Sequence, residues 1–364
     1  MNKVSILASI CCLVIVATAP AFSQTTQNSI FGDFNDLRGD NPIGVREWGM
    51  GGVRTALEQL GSSSVCAPAG MAWDLPAFIS AQYDIRTPFA KGTNPVRSES
   101  QTLFLPRYIG MLFSSGMRRF GVAYALPYGQ RTVCQTATSA REYTLAEHRI
   151  YIPFAWRVAK QWAVGASIGL SIASWKETLD GTDTGNFASG LGFSSAIHAQ
   201  WRPRPSMMLG LEAQPPITVS GDSKVDSISS SVEWKRPLEV RAGVAKKWSG
   251  FLTAADVFFR QYSALDNWMV DRGFMTKGQW GVAAGTEFPW AGANWRFGGQ
   301  VEADPVEGGN QIWAMITIGA GWSLGGTNVH AAVVDSHASS DETLRATRFL
   351  FGFEILTPRD ADTQ

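Results

Sequence analysis

The side chains best suited to proton transfer or metal binding are four histidines, and their spacing serves neither purpose. His148, His198, His330 and His337 include no pair at a helical metal-binding interval, and no cysteine pair lies close to any of them. His337-Ala338-Ser339 places a base near a hydroxyl, as a serine hydrolase would require, but in a polar segment that reads as an exposed loop. The glycine cluster Gly49 to Gly52 follows no strand pattern and lacks the Lys-Ser/Thr ending of a phosphate loop. The sequence therefore predicts no catalytic residue, no metal and no cofactor, and the chain is read as not an enzyme.

A second group of side chains suits binding instead. Arg241, Arg260 and Arg296 share a parity that turns them inward on their strands, where each guanidinium can hold a carboxylate by paired hydrogen bonds. The same parity also allows salt bridges to Glu239, Asp256, Glu287 or Glu302. Trp48, Met50, Val53, Leu57 and Met71, with Trp313 and Met315 facing them by parity, either line an apolar pocket or pack an N-terminal segment against a wall. Cys66 and Cys134 are either a disulfide tethering that segment to an outer loop or two buried thiols.

The elements that carry these groups are strands. Val164, Ala166, Ile168, Leu170 and Ile172 alternate with Gly165, Ser167, Gly169 and Ser171, and Leu238 to Val244 confines charge to alternate positions. Trp280 to Phe288, Ile312 to Trp322 and Phe349 to Ile355 behave alike. About fourteen such segments start near Ala77, Thr102, Phe120, Tyr143, Gln161, Gly190, Ser206, Ile228, Phe251, Gly278, Ala293, Gln311, Thr327 and Leu344. Short turns, as at Ser115-Gly116-Met117 and Gly325-Gly326, alternate with longer polar stretches such as Gly129 to Glu142, Glu177 to Ser189 and Ser220 to Ser227. Short turns on one side of a membrane and long loops on the other are the asymmetry of an outer-membrane barrel. A β-sandwich shares the alternation but not the loop rhythm.

Composition agrees. Only 17% of the 364 residues are charged against 45% hydrophobic, with 37 glycines and 14 tryptophans. Lys plus Arg and Asp plus Glu are each 31, so no net field draws the chain to nucleic acid. Residues 1–23 read as a signal peptide, with Lys3, an apolar core from Ile6 to Val16 and a small-residue cleavage site. Past it no run approaches the roughly 18 apolar residues of a membrane helix. Residues 24–73 are read as a lumenal or periplasmic hatch, 74–357 as the barrel and 358–364 as a tail.

Gly49-Met50-Gly51-Gly52, the small-residue stretch Val53 to Val65, and Ala67-Pro68-Ala69-Gly70-Met71-Ala72 resemble the opening of the FadL/TodX-like outer-membrane family of long-chain fatty acid and aromatic hydrocarbon transporters. Arg236 to Ala245 followed by Leu252 to Asp256 is similar to a strand pair of that family. Ala67 stands where the family has asparagine, which removes an amide able to pin the turn. The resemblance implies an all-β, transmembrane antiparallel β-barrel of about fourteen strands with an N-terminal hatch built on Gly49, Met50, Gly51, Gly52, Pro68, Ala69 and Gly70. It also implies an outer-membrane location, outer-membrane lipid around the wall, and a hydrophobic small-molecule ligand passing sideways through a gap. The other reading is a structural barrel docking a secretion machine.

Overall fold

In the computed structural model the described residues are 44–58, 61–73, 77–88, 103–135, 140–225, 228–266, 275–340 and 346–356. The expected signal peptide and tail lie outside them. The first strands are β1 (Phe78–Pro88), β2 (Leu103–Ser115), β3 (Arg118–Gln135), β4 (Ala140–Ala159), β5 (Trp162–Leu179) and β6 (Thr182–Arg204). Then come β7 (Met207–Gln214), β8 (Ile217–Val225), β9 (Ile228–Arg236), β10 (Glu239–Lys247) and β11 (Leu252–Arg260). The last are β12 (Gln279–Trp290), β13 (Ala293–Ala303), β14 (Ile312–Leu324), β15 (Thr327–Asp335) and β16 (Ala346–Leu356).

Every pairing among them is antiparallel, and β1 bonds to β16 from Phe78↔Leu356 to Pro88↔Ala346, so the sheet closes. β8 prolongs β7 along β6 beyond Pro215-Pro216, and β9 leads into β10 across Pro237-Leu238, so the wall is a closed barrel of 14 strands. Closure joins the first strand to the last and so removes the two outer edges of the sheet, as a bilayer demands of β structure.

The period-2 pattern sorts the side chains as expected. On β5, Val164, Ile168 and Ile172 are exposed while Ala163, Ser167, Ser171 and Ala173 are buried. The outer surface is an apolar band, with Phe193 the most exposed at 73%. Exposed Trp156, Trp162, Trp201, Trp248, Trp290 and Trp322 sit close to the short turns and mark one interface. At Gly325 and Gly326, φ values of +56° and +90° give the tight hairpin that two positive-φ residues allow.

Three polar stretches expected to be outer loops are largely strand. β3 and β4 pair as far as Gln135↔Ala140, β5 and β6 turn at Asp180-Gly181, and β8 runs to Val225. Beyond the lipid both faces of a strand meet water, so the hydropathy alternation stops while the hydrogen-bond ladder continues. No helix among the described residues is long and apolar enough to cross a membrane.

Ile316, 52% exposed on β14, stands six residues above Trp322 and so near the bilayer midplane. Ile316→Arg should cost about 2–4 kcal/mol of stability, against about 0–1 for Leu324→Arg beside the turn. Urea unfolding of the barrel in lipid vesicles measures both; equal effects would mean that this face does not meet lipid.

Candidate functional site

Residues 44–73 fold against the inside of the wall as a short helix, α1 (Val45–Gly49), and two 3-10 turns, Gly61–Val65 and Pro68–Ala72. The Gly-Met-Gly-Gly run forms the tightest contact. Gly51 and Gly52 have φ of +79° and +84°, open to glycine without strain. A Cβ on Gly51 would stand 2.4 Å from the Gly299 nitrogen, and one on Gly285 or Gly298 would stand 2.2 or 2.3 Å from Met50 main-chain atoms. The motif is therefore a backbone-on-backbone seat against β12 and β13.

The side chains read as either pocket lining or packing are all buried or partly buried. Met50, Val53, Leu57 and Met71 join Trp73, Phe78, Leu112 and Met208 in one buried cluster. Trp48 joins Val45, Met315, Val334 and Leu350 in another, with Trp313 partly buried beside it. The Pro68–Ala72 turn lacks a side-chain cap at Ala67. His198 supplies the missing partner from the wall: its Nδ1 accepts from the Ala69 N–H at 3.1 Å, so Nε2 carries the proton donated to the Thr55 carbonyl at 2.8 Å. Gln200 donates to the Thr55 and Leu57 carbonyls, both at 2.9 Å, and accepts from Trp73 Nε1 at 2.6 Å. Nothing local to positions 198 and 200 signals either role.

Charge fills the space beside the segment. Arg54 is held by Glu212 at 2.5 Å and Glu239 at 2.8 Å, while Asp256 accepts from the Arg54 and Thr55 N–H groups at 2.8 and 3.2 Å. Arg241 lies 3.2 Å from Glu239 and 3.5 Å from Asp256, and Arg260 bridges Glu239 at 2.8 Å and Glu302 at 2.9 Å. Arg296 shares Glu287 with Arg46, at 2.6 and 2.9 Å. All three arginines expected to face inward do, and each is engaged by acids already considered as its partners.

Glu47 differs. It is wholly buried on α1 and neither carboxylate oxygen has a hydrogen-bond partner. Burial pushes its pKa up, with Glu354 adding to the rise while Arg46, its own backbone N–H and His330 oppose it. Cys66 is buried among Val65, Tyr108, Ala123, Ala125 and Tyr151. Burial pushes its thiol up to about 12, which makes it a poor nucleophile. The side chain of Cys134 lies outside the described residues. No group of three His, Cys, Asp or Glu side chains among them is placed to hold a metal.

Among the described residues the wall is broken in two places. β2 and β3 pair only from Ser115↔Arg118 to Tyr108↔Ala125. Beyond that, β2 continues on β1 and β3 continues on β4 after a register shift between Ala125 and Tyr128. Pro106 and Pro127, which lack an N–H, fall where the two strands part. The second break lies on the β7/β8 side of β6, between Ile197↔Ala213 and Gly192↔Val219, opposite Pro215-Pro216.

These features have counterparts among solved structures. The Ralstonia pickettii toluene transporter TbuX superposes with a TM-score of 0.67 at 13% identity, over 87% of this chain and 99% of that one. The chain has the fold of these channels. The Pseudomonas putida toluene transporter TodX and a Pseudomonas aeruginosa FadL homologue each give a TM-score of 0.62 at 12% identity, over 87% of this chain and 98% of theirs. No protein-family model matches the sequence, and no curated protein does.

Arg54→Ala would leave Glu212 and Glu239 buried without their shared cation, a loss of about 3–5 kcal/mol when one partner of a buried pair is removed. Protease cleavage within residues 44–73 should rise steeply in folded barrels, and an unchanged cleavage rate would show that Arg54 does not hold the segment. Glu47 predicts a pH dependence of the opposite sign to a salt-bridged acid. Its docked pKa is raised, so docking is strongest below the ordinary carboxylate range and weakens as pH rises through the docked value. Hydrogen-exchange protection factors over residues 44–58, with the intrinsic pH dependence divided out, should fall between pH 4 and 9 in the wild type and change less in Glu47→Gln.

Proposed function

We propose that this chain is an outer-membrane channel that admits hydrophobic small molecules, such as long-chain fatty acids or aromatic hydrocarbons, and releases them sideways through its wall. The observation that carries the reading is the parting of β2 from β3 above Tyr108↔Ala125, directly behind the cluster of Val65, Cys66, Tyr108 and Tyr151. A strand pair that separates within lipid exposes unpaired backbone groups, a cost tolerated where the opening serves a purpose or is backed by protein. An apolar solute arriving from outside gains by leaving into hydrocarbon and not into the periplasm.

The fold supports this reading, since toluene transporters and a FadL homologue share it. Residues 44–73 are then the hatch, which closes the axial route and leaves the lateral one. Trp48 and Met71 would be its packing face, Trp48 against Trp313 and Met315 of the wall, with Arg241, Arg260 and Arg296 holding the hatch by way of acids. A docking barrel is the second reading, favoured by the charge-filled lumen around Arg54, Glu239 and Arg260. Transport is preferred because docking gives no reason for the parted strands.

Expression in an outer membrane lacking channels of this fold should speed uptake of toluene or of oleate at low external concentration. Uptake equal to that of vesicles or cells without the protein, together with a stable protein partner on purification, would replace the transport reading by the docking one.

A further inference from the structure

The short turns of the wall are not alike in charge. Four of them, β2/β3, β4/β5, β6/β7 and β10/β11, belong to neighbouring hairpins, since β3 pairs with β4, β5 with β6 and β7 with β10. Bonds between neighbours carry this order to the strand ends: the Arg157 N–H donates to the Met117 carbonyl at 3.0 Å, Arg202 to Gln161 at 2.8 Å and Lys247 to Ser206 at 2.8 Å. The turns therefore form one row along the rim. Residues 112–122, 155–165, 199–210 and 243–254, which make that row, contain no Asp or Glu.

Arg118, Lys160, Arg204, Lys246 and Lys247 are exposed on the row, and no acid pairs with any of them among the described residues. Two other cations are withdrawn from it. Arg119 is turned onto the Gly116 and Arg118 carbonyls, and Arg202 onto Glu58 and the Trp73 ring. The remaining turns differ, for residues 290–293 and 323–328 carry no charge, and nearby Arg296 is matched to Glu287 inside the lumen. Among the described residues, unmatched positive charge is thus confined to one side of the rim.

The row also stands at the level of the lipid interface. Arg118 shares the lipid-facing parity of Phe120 and Val122, and Lys246 that of Val244. The Arg118 guanidinium lies 5.9 Å from the Trp156 ring centre and the Lys246 ammonium 3.6 Å from that of Trp248, while Trp162 stacks on Trp201 at 5.6 Å. Tryptophans of this kind sit among the headgroups, and long cationic chains beside them lay their stems on apolar surface and extend their charge to the phosphates. Charges serving only to keep the turns wet would need neither one sign nor one side.

We infer that this side of the rim docks anionic phospholipid headgroups of the periplasmic leaflet, with Arg118, Lys160, Arg204, Lys246 and Lys247 as the contact groups. Short turns face the periplasm. An arginine takes two oxygens of one phosphate, a lysine acts as a point charge, and each cation held at an anionic surface contributes about a fivefold factor to binding. A zwitterionic headgroup carries its own ammonium, which cancels most of that gain. The inference does not use the channel reading.

The test titrates the full-length barrel in detergent with phosphatidylglycerol or with phosphatidylcholine of the same acyl chains, and native mass spectrometry measures the first lipid bound. Phosphatidylglycerol should bind about fivefold more tightly or better. Raising the salt from about 0.1 to about 1 M shortens the screening length from about 10 to about 3 Å and should remove most of the preference. The variant Arg118→Gln, Lys160→Gln, Arg204→Gln, Lys246→Gln should bring the ratio close to one, with single variants at Arg118 and Lys246 in between; heat-dependent gel mobility reports that each barrel is folded. Lys176→Gln, Lys235→Gln, which removes cations paired with Asp183 and Glu233 at the far end of the barrel, should leave the ratio unchanged. Equal affinity of the wild type for the two lipids overturns the inference and leaves the rim to a soluble acidic partner. A preference that survives the quadruple variant, or that falls equally in the far-end variant, overturns it too.

Discussion

In hydrocarbon every backbone N–H and C=O must find a partner within the protein, and in this chain that condition is met by closing a sheet on itself through β1 and β16. Closure decides the rest of the sequence grammar. One face of each strand must be apolar over the thickness of the lipid, and the other, turned to the interior, is free to be polar. The ladder departs from regular pairing near Pro106 and Pro127 and again beside Pro215-Pro216, positions whose residues lack an N–H to contribute.

A closed wall with a polar inner face sets a second condition, on whatever occupies the interior. An apolar plug would leave Glu212 buried without its cation and would take partners from Glu239 and Asp256, which wall arginines also hold. Residues 44–73 answer with Arg54 for the first two and with the Arg54 and Thr55 N–H groups for the third, while their apolar side chains meet alanines and methionines nearby. Buried ion pairs add little net stability over apolar packing, because desolvation offsets most of their attraction. Their contribution here is register: bidentate contacts from Arg54 and Arg46 fix where the segment sits along β7, β10 and β12.

Strand positions were legible because period 2 is local information. β14 starts at Ile312 and β15 at Thr327, within a residue of expectation, since Ile316 and Ile318 must alternate with Thr317 and Gly319 whatever lies beside them. The inward parity of Arg241, Arg260 and Arg296 was legible for the same reason. Partners across the lumen were not. His198 accepts from the Ala69 N–H, yet nothing near position 198 announces a segment more than a hundred residues earlier in the chain. The Glu147, Arg149 and Tyr151 spacing was a visible signal that three polar groups share one face of β4, but Arg236 reaches them only because β8 and β9 lie along β6 beyond the Pro215-Pro216 break. The prolines were visible too. Their effect on the wall depends on which strand stands opposite, which is non-local.

The two breaks in the wall are not equivalent, and the difference follows from what backs each one. Beside the β6 break the chain resumes pairing at Gly192↔Val219, and Ile217 and Val219 are buried against Ala173 of β5, so apolar side chains fill the inner side. Gly190 and Gly192 permit that closeness, since a Cβ on either would meet Val219 at 3.0 Å or less. β2 and β3 do not rejoin among the described residues. Each keeps its backbone partners on its far side, β1 for one and β4 for the other, so the parting costs only the bonds between them. Behind it stand Val65, Cys66, Tyr108 and Tyr151, and Tyr151 is also bonded to Arg149. A molecule that reached these side chains from the lumen would stand beside the parted strands, which is why the lateral route is proposed between β2 and β3.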